Sequence, residues 1–256
     1  MNATSVAVTV FVCTLAGAWF GTFLSSVLSE HHLSEDTKNV VRLGSGFVAT
    51  MAALVISLMI SSAKASFDAR SGELRESSAD ILLLDRVLDH YGPEAQPARD
   101  EILLMTRGWL HQFWEEPGAT SADFNPLDDA QPPIEVLDDL VRGLQPANAS
   151  QKDLQSEALE ILHDLAKIRW MLFEQFHQHS VPKPFLVVLT IWLGVIFTSF
   201  GLFAPRNAMT GAALFTAAMS AAIAIFLIVE MEEPFVGVLA LSKEPYLAAI
   251  ADLDRK

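Results

Sequence analysis

The sequence predicts an all-α membrane protein: four transmembrane helices arranged as two hairpins around a helical cytoplasmic domain, the second span continuing as one long helix. Three observations carry this. Residues 2–29, 43–63, 184–205 and 207–229 contain no Asp, Glu, Lys or Arg, and a bilayer core of about 30 Å needs roughly 20 apolar residues as helix. No stretch alternates apolar and polar residues with the period of a strand. Half of the chain, 51%, is hydrophobic and only 19% is charged, with a mean hydropathy of +0.33, against about a quarter charged in soluble domains.

The first run could be mistaken for a secretory signal. It lacks a Lys/Arg-rich start and its apolar stretch is too long, so it reads as a retained span over about residues 5–28. After the second span, 43–63, no glycine or proline comes before Tyr91-Gly92-Pro93 except Gly72. Phe67, Leu74, Ile81, Leu84 and Leu88 recur at helical spacing, which predicts one helix from about Leu43 to His90, about 70 Å long. Within the domain, 64–182, a helix over 97–114 buries Ile102, Leu103, Thr106, Trp109, Leu110 and Phe113. Residues 117–133 read as an acidic loop, and 134–144 as a short helix. The last domain helix opens with a capping-box pattern, Ser150 to Asp153, and lines Leu154, Ala158, Ile161, Leu165, Ile168, Leu172 and Phe176 along one face. Pro182 and Pro184 end it. The second hairpin occupies 183–230, with spans at about 184–204 and 208–229 and a tight turn at Ala204-Pro205-Arg206-Asn207. Residues 231–256 form a C-terminal segment.

Four spans put both termini and the domain on one side. Lys64, Arg70, Arg75, Lys167, Arg169, Lys183 and Lys243 lie on that side near membrane ends, against Lys38, Arg42 and Arg206 on the other. The positive-inside rule makes the domain side cytoplasmic, in an inner membrane.

Several function classes are disfavoured. The net charge is −14, and a nucleic-acid partner needs a basic surface. A single cysteine, Cys13, excludes an internal disulfide and any multi-cysteine metal site. No phosphate-binding loop, dinucleotide fingerprint, zinc-protease helix or nucleophile elbow is present, so neither an enzyme nor a cofactor is expected. The spans hold no unpaired charge, the usual mark of a coupled transporter.

The second span carries the main candidate. Gly46, Ala49, Thr50, Ala53, Ser57, Ser61 and Lys64 fall within about ±60° of one direction at 100° per residue, with Val48, Met51, Val55, Leu58 and Met59 opposite. Hydroxyls in such a stripe can solvate an ion along a pore wall. Small residues equally let helices pack closely, and the wheel does not separate the two readings. Gly17 and Gly21, and the series Ala213, Ala217, Ala221 and Ala224, read as packing faces.

Charge is the second clue. Residues 63–183 hold 22 acidic and 11 basic side chains, a net −11 that repetition around an axis would multiply. Glu230, Glu232 and Glu233, where the fourth span ends, could form an acidic collar; a plain solvated surface is the alternative. Arg70, Arg75 and Arg86 are expected to pair with carboxylates such as Asp68, Asp80 and Asp85. Glu174, His177 and His179 are poorly spaced for a metal, and His31 and His32 fit an ordinary loop.

Six stretches together resemble a large family of prokaryotic bestrophin-like membrane proteins. They are Ala63-Lys64-Ala65-Ser66-Phe67-Asp68-Ala69-Arg70, Ala79-Asp80-Ile81-Leu82-Leu83-Leu84-Asp85-Arg86 and Tyr91-Gly92-Pro93-Glu94-Ala95 in the first half. In the second half they are Gly201-Leu202-Phe203-Ala204-Pro205-Arg206-Asn207, Glu230-Met231-Glu232-Glu233-Pro234-Phe235-Val236-Gly237 and Ser242-Lys243-Glu244-Pro245. The likeness runs from about Val40 to Leu253. It implies a pentameric channel for monovalent ions in the lipid bilayer, its second-span helix lining the pore. Some bacterial relatives pass cations. The aromatic neck of bestrophins has no counterpart here, since Phe47 is the only aromatic residue between Leu43 and Ala63. A non-conducting membrane scaffold, or a stress-response protein whose acidic domain binds a partner, is the alternative function.

Overall fold

The structure, a computed structural model, describes residues 2–28, 35–115, 133–177, 183–205 and 207–255. They form α1 (Ala3–Val27), α2 (Glu35–Tyr91), α3 (Gln96–Leu110), α4 (Pro133–Arg142), α5 (Ala149–His177), α6 (Lys183–Phe203), α7 (Ala208–Glu230) and α8 (Glu244–Leu253), and no strand occurs among them. Four helices, α1, α2, α6 and α7, are long and apolar enough to cross a membrane. His31, His32, His179, Arg206 and all but the end of the expected 117–133 loop lie outside the described residues. So do the side chains of Leu172, Glu174, Phe176 and His177.

The chain forms two compact units, Met1–Phe67 with Ser180–Glu233 and Asp68–His179 with Pro234–Lys256. In the first, α1 packs on both α6 and α7. Backbone contact at glycine makes this possible. A Cβ placed on Gly21 would lie 2.1 Å from the Thr198 carbonyl oxygen, and one on Gly201 would lie 2.0 Å from that of Ala18. Gly17 meets Gly194 in the same way, at 2.8 Å. The Gly17/Gly21 pair therefore does what small residues do in a membrane, where close backbone approach replaces the missing hydrophobic drive. Beside this seam Ala18, Phe197 and Ala218 form a buried cluster with Phe11, Leu15 and Leu214 against it. On α7 the buried alanines are Ala218 and Ala222; Ala213 and Ala217, expected as a packing face, are exposed. Alanine spacing along α7 marks a small face but not the direction from which α1 approaches.

The α6–α7 turn closes by capping. Asn207 accepts the Thr210 amide at 2.8 Å through its side chain, satisfying one of the free donors of a helix start.

In the second unit the buried centre is Ile81, Leu84 and Leu88 of α2, Ile102 and Met105 of α3, Leu137 and Val141 of α4, Leu165 of α5 and Tyr246 of α8. Gly92, at φ 128°, terminates α2 in a backbone region that favours glycine, and Pro93–Ala95 form a 3-10 turn. Three boundaries differ from the sequence reading. α2 starts at Glu35 rather than Leu43: Glu35 and Asp36 sit in its first turn, where acids complement the helix dipole, and Lys38 pairs with Glu35 at 2.7 Å. α5 is capped by Asn148, whose side chain accepts the Gln151 amide at 2.9 Å, so the Ser150 box is not its start. α3 ends in a wider π-helical turn, His111–Glu115, where adjacent side chains diverge less than in an α-helix and Phe113 and Trp114 both join one ring cluster.

That cluster ties down the C-terminal segment, which contains the unanticipated α8. Phe235 stacks on Phe113 at 5.3 Å and meets Trp114 edge-on, and Trp114 tilts against Tyr246. The Trp114 indole donates to the Leu241 carbonyl at 2.9 Å. Ser78 donates to the Pro245 carbonyl, and Arg107 takes both Asp254 oxygens at 2.7 Å. Ser77 gives its hydrogen to the Leu74 carbonyl, so it accepts from the Tyr246 phenol at 2.7 Å. Burial pushes that phenol up to about 12, which keeps it protonated and a donor.

Gly21→Ala and Gly201→Ala should each lower the melting temperature of the detergent-purified protein, at an overpacking cost of about 1–3 kcal/mol. Gly211→Ala, where a Cβ meets nothing within 4 Å, should be neutral or stabilising. Equal behaviour of all three would rule out the backbone seam as a stabilising contact.

Candidate pore wall

α2 holds the candidate site because its backbone hydrogen bonds are satisfied internally through the membrane, leaving the side chains free to differ by face. Of the stripe, Gly46, Thr50, Ala53, Ser57, Ser61 and Lys64 are exposed, and Ala49 is half-buried. The edge of α2 turned toward the rest of the chain is instead Ala52, Met59 and Ala63. No atom comes within 4 Å of a Cβ placed on Gly46. Within the chain Thr50, Ala53, Ser57 and Ser61 are thus not covered by its own spans, while Gly46 and Ala49 lie nearer to them. On the other side of the stripe lies a bulky exposed strip: Leu43, Phe47, Leu54 and Leu58, 59–76% exposed. The uncovered face of α2 thus has a hydroxyl half and an apolar half.

The hydroxyls have a defined polarity. Thr50 donates to the Gly46 carbonyl and Ser57 to that of Ala53, both at 2.9 Å. Each hydroxyl has one hydrogen, so what these two turn outward is oxygen lone pairs. Such oxygens can accept from water or coordinate a cation, and they have no hydrogen left for an anion. Lys64, at the domain end of the stripe, lies 5.9 Å over the Phe67 ring, a cation–π contact.

The three glutamates at the end of α7 are not equivalent. Glu230 is buried, at 6% exposure, Glu232 is half-buried and Glu233 is exposed. Glu230 and Glu232 are both engaged by other groups. Of the three, Glu233 is the exposed one.

The acidic domain is less evenly solvated than its composition implies. Asp85, almost fully buried, takes Arg99 of α3 at 2.9 Å, and the same guanidinium reaches Asp89 at 2.6 Å. The expected Arg86 partnership with Asp85 is replaced by this one, because Arg99 comes from the helix packed across and adjacent residues on a helix point apart. Arg99 carries no local signal, and only the docking of α3 reveals it. Among the described residues no arginine is a cause of the shift at Asp80 either. Burial, then Glu76 and Asp164, hold its carboxyl above the usual carboxylate range.

A group whose pKa is raised by folding favours the folded state at low pH and loses that contribution as pH rises through its folded value. Asp80→Asn should accordingly raise the melting temperature at pH 7, with the gain shrinking towards zero as pH falls below the ordinary carboxylate range. A gain independent of pH would show that ionisation of Asp80 is not the cause.

Comparison with known proteins places the chain. A family model described as a bestrophin-like domain matches residues 7–246. No curated protein sequence matches significantly. The fold is similar to that of a single-substitution variant of a bacterial bestrophin homologue from Klebsiella pneumoniae, with a TM-score of 0.67 at 13% identity over 96% of each chain. A second variant of that kind gives 0.57 at 15% identity, covering 96% of this chain and 97% of the other. A structure described as a membrane protein variant gives 0.62 at 15% identity over 95% of each chain.

Proposed function

The chain belongs to the bestrophin-like family, and from that premise we propose that it forms a homo-oligomeric ion channel in an inner membrane, with α2 as the pore wall. The carrying observation is the uncovered hydroxyl face of α2: in a span built mostly of apolar side chains, Thr50, Ala53, Ser57 and Ser61 are exposed. Arranged about an axis, five copies by the family plan, these faces line a polar path, and the adjoining Leu43, Phe47, Leu54 and Leu58 supply apolar area for contact between neighbours.

The pore prefers monovalent cations. The oxygens of Thr50 and Ser57 face outward as acceptors, the domain stretch 63–183 has 22 acidic residues against 11 basic, and Glu233 adds a carboxylate at the end of α7. Each charge is repeated once per subunit, so the potential at the mouth grows with copy number. The basic residues flanking the spans support cytoplasmic termini and a cytoplasmic domain.

In planar bilayers with asymmetric KCl, the purified protein should give a reversal potential of cation-selective sign. Ser57→Leu or Thr50→Leu should cut conductance several-fold while the oligomer stays intact by light scattering. Unchanged currents would take the stripe out of the pore. Glu233→Gln should move the reversal potential towards zero, by most of what neutralising Glu230, Glu232 and Glu233 together achieves. Silence from a folded oligomer across pH and calcium levels would favour the non-conducting scaffold, whose acidic domain binds a partner.

A further inference from the structure

We propose that the groove between α2, α6 and α7, beside the first turn of α7, binds one anionic phospholipid per subunit through Arg42. The groove has a volume of about 630 Å³. Its walls are apolar, set by Phe200, Phe203, Met209 and Leu214, while among the described residues Arg42 is the one charged side chain lining it. Among the described residues Arg42 makes no direct hydrogen bond or ion pair; Glu35 acts on it only through space, its close contact being with Lys38, one turn from Arg42 on α2. Ser45 and Ser199 also line the space, but both give their hydrogens to their own helix, to the carbonyls of Arg42 and Val195.

The chemistry selects the occupant. An apolar slot opening on a single guanidinium at the end of a membrane span matches a molecule with a negative head and a hydrocarbon tail. A phosphate oxygen accepts well from guanidinium, often through two parallel bonds. The first turn of α7, where Met209 and Thr210 line the groove, adds the partial positive charge of a helix start on the same rim. A zwitterionic lipid offers the same phosphate with a compensating cation and gains less. Gly46 and Ala49 of the stripe line this groove too, so a lipid there borders the proposed pore wall. The inference itself rests only on the four spans and not on conduction.

The test is native mass spectrometry of the full-length oligomer, titrated in detergent with dioleoyl phosphatidylglycerol or dioleoyl phosphatidylcholine. One phosphatidylglycerol per chain should be retained about tenfold more tightly than phosphatidylcholine, the worth of one charge-assisted hydrogen bond. Arg42→Gln should abolish that preference and Arg42→Lys should keep most of it. Ala213→Phe, which fills the groove without touching the charge, should weaken both lipids. Equal retention of the two lipids by the native chain, or an unchanged preference in Arg42→Gln, would overturn the proposal. So would displacement by inorganic phosphate alone, which would mean an anion site without a tail. A Gly46→Cys to Ala213→Cys crosslink between two copies would also overturn it, because a neighbouring subunit would then occupy the groove.

Discussion

Everything in this protein depends on α2 remaining one hydrogen-bonded helix through 57 residues. In hydrocarbon an unmade backbone hydrogen bond costs several kcal/mol, so a span can carry a small-residue face only if its backbone needs nothing from neighbours. α2 meets that condition across the membrane and continues without a break into residues of the second unit. The helix ends where Gly92 takes up φ 128°. Its two uses follow from its register: 43–63 provide an uncovered face, while Ile81, Leu84 and Leu88 provide a buried one.

The two units solve the burial problem by different means. Between spans there is no water to expel, and α1 is held to α6 by contact at Gly17, Gly21 and Gly201, where any side chain would collide with backbone. In the second unit large side chains do the work, and several polar groups are paired one to one. Tyr246 donates to Ser77, Trp114 to Leu241, and Arg99 to Asp85. The first two bonds hold the returning chain after α7 in one place, so the C-terminal segment is part of the core of that unit rather than an appendage.

The candidate pore wall draws on both solutions. Small residues left unpacked are costly in a membrane helix unless something covers or wets them, because they forfeit dispersion contacts. The stripe from Gly46 to Lys64 is such a face, and Thr50 and Ser57 spend their hydroxyl hydrogens inside the helix. What is left on the surface is acceptor oxygen flanked by leucine and phenylalanine. A face of this composition suits repetition around an axis, with water on one half and a neighbour on the other.

Composition and periodicity by themselves determined the four spans, the all-helical class, the unbroken passage from Leu43 to His90 and the membership of the stripe, because each is a property of local sequence. Tertiary structure alone decided which faces are covered. Ala218 and Ala222 are buried rather than Ala213 and Ala217, since α1 approaches α7 from that side. Glu230 is buried while Glu233, three residues on, is exposed. Asp85 pairs with Arg99, 14 residues away, and Tyr246 with Ser77, 169 residues away. A helical period states which residues share a face; only the position of another helix says whether that face meets protein, lipid or water.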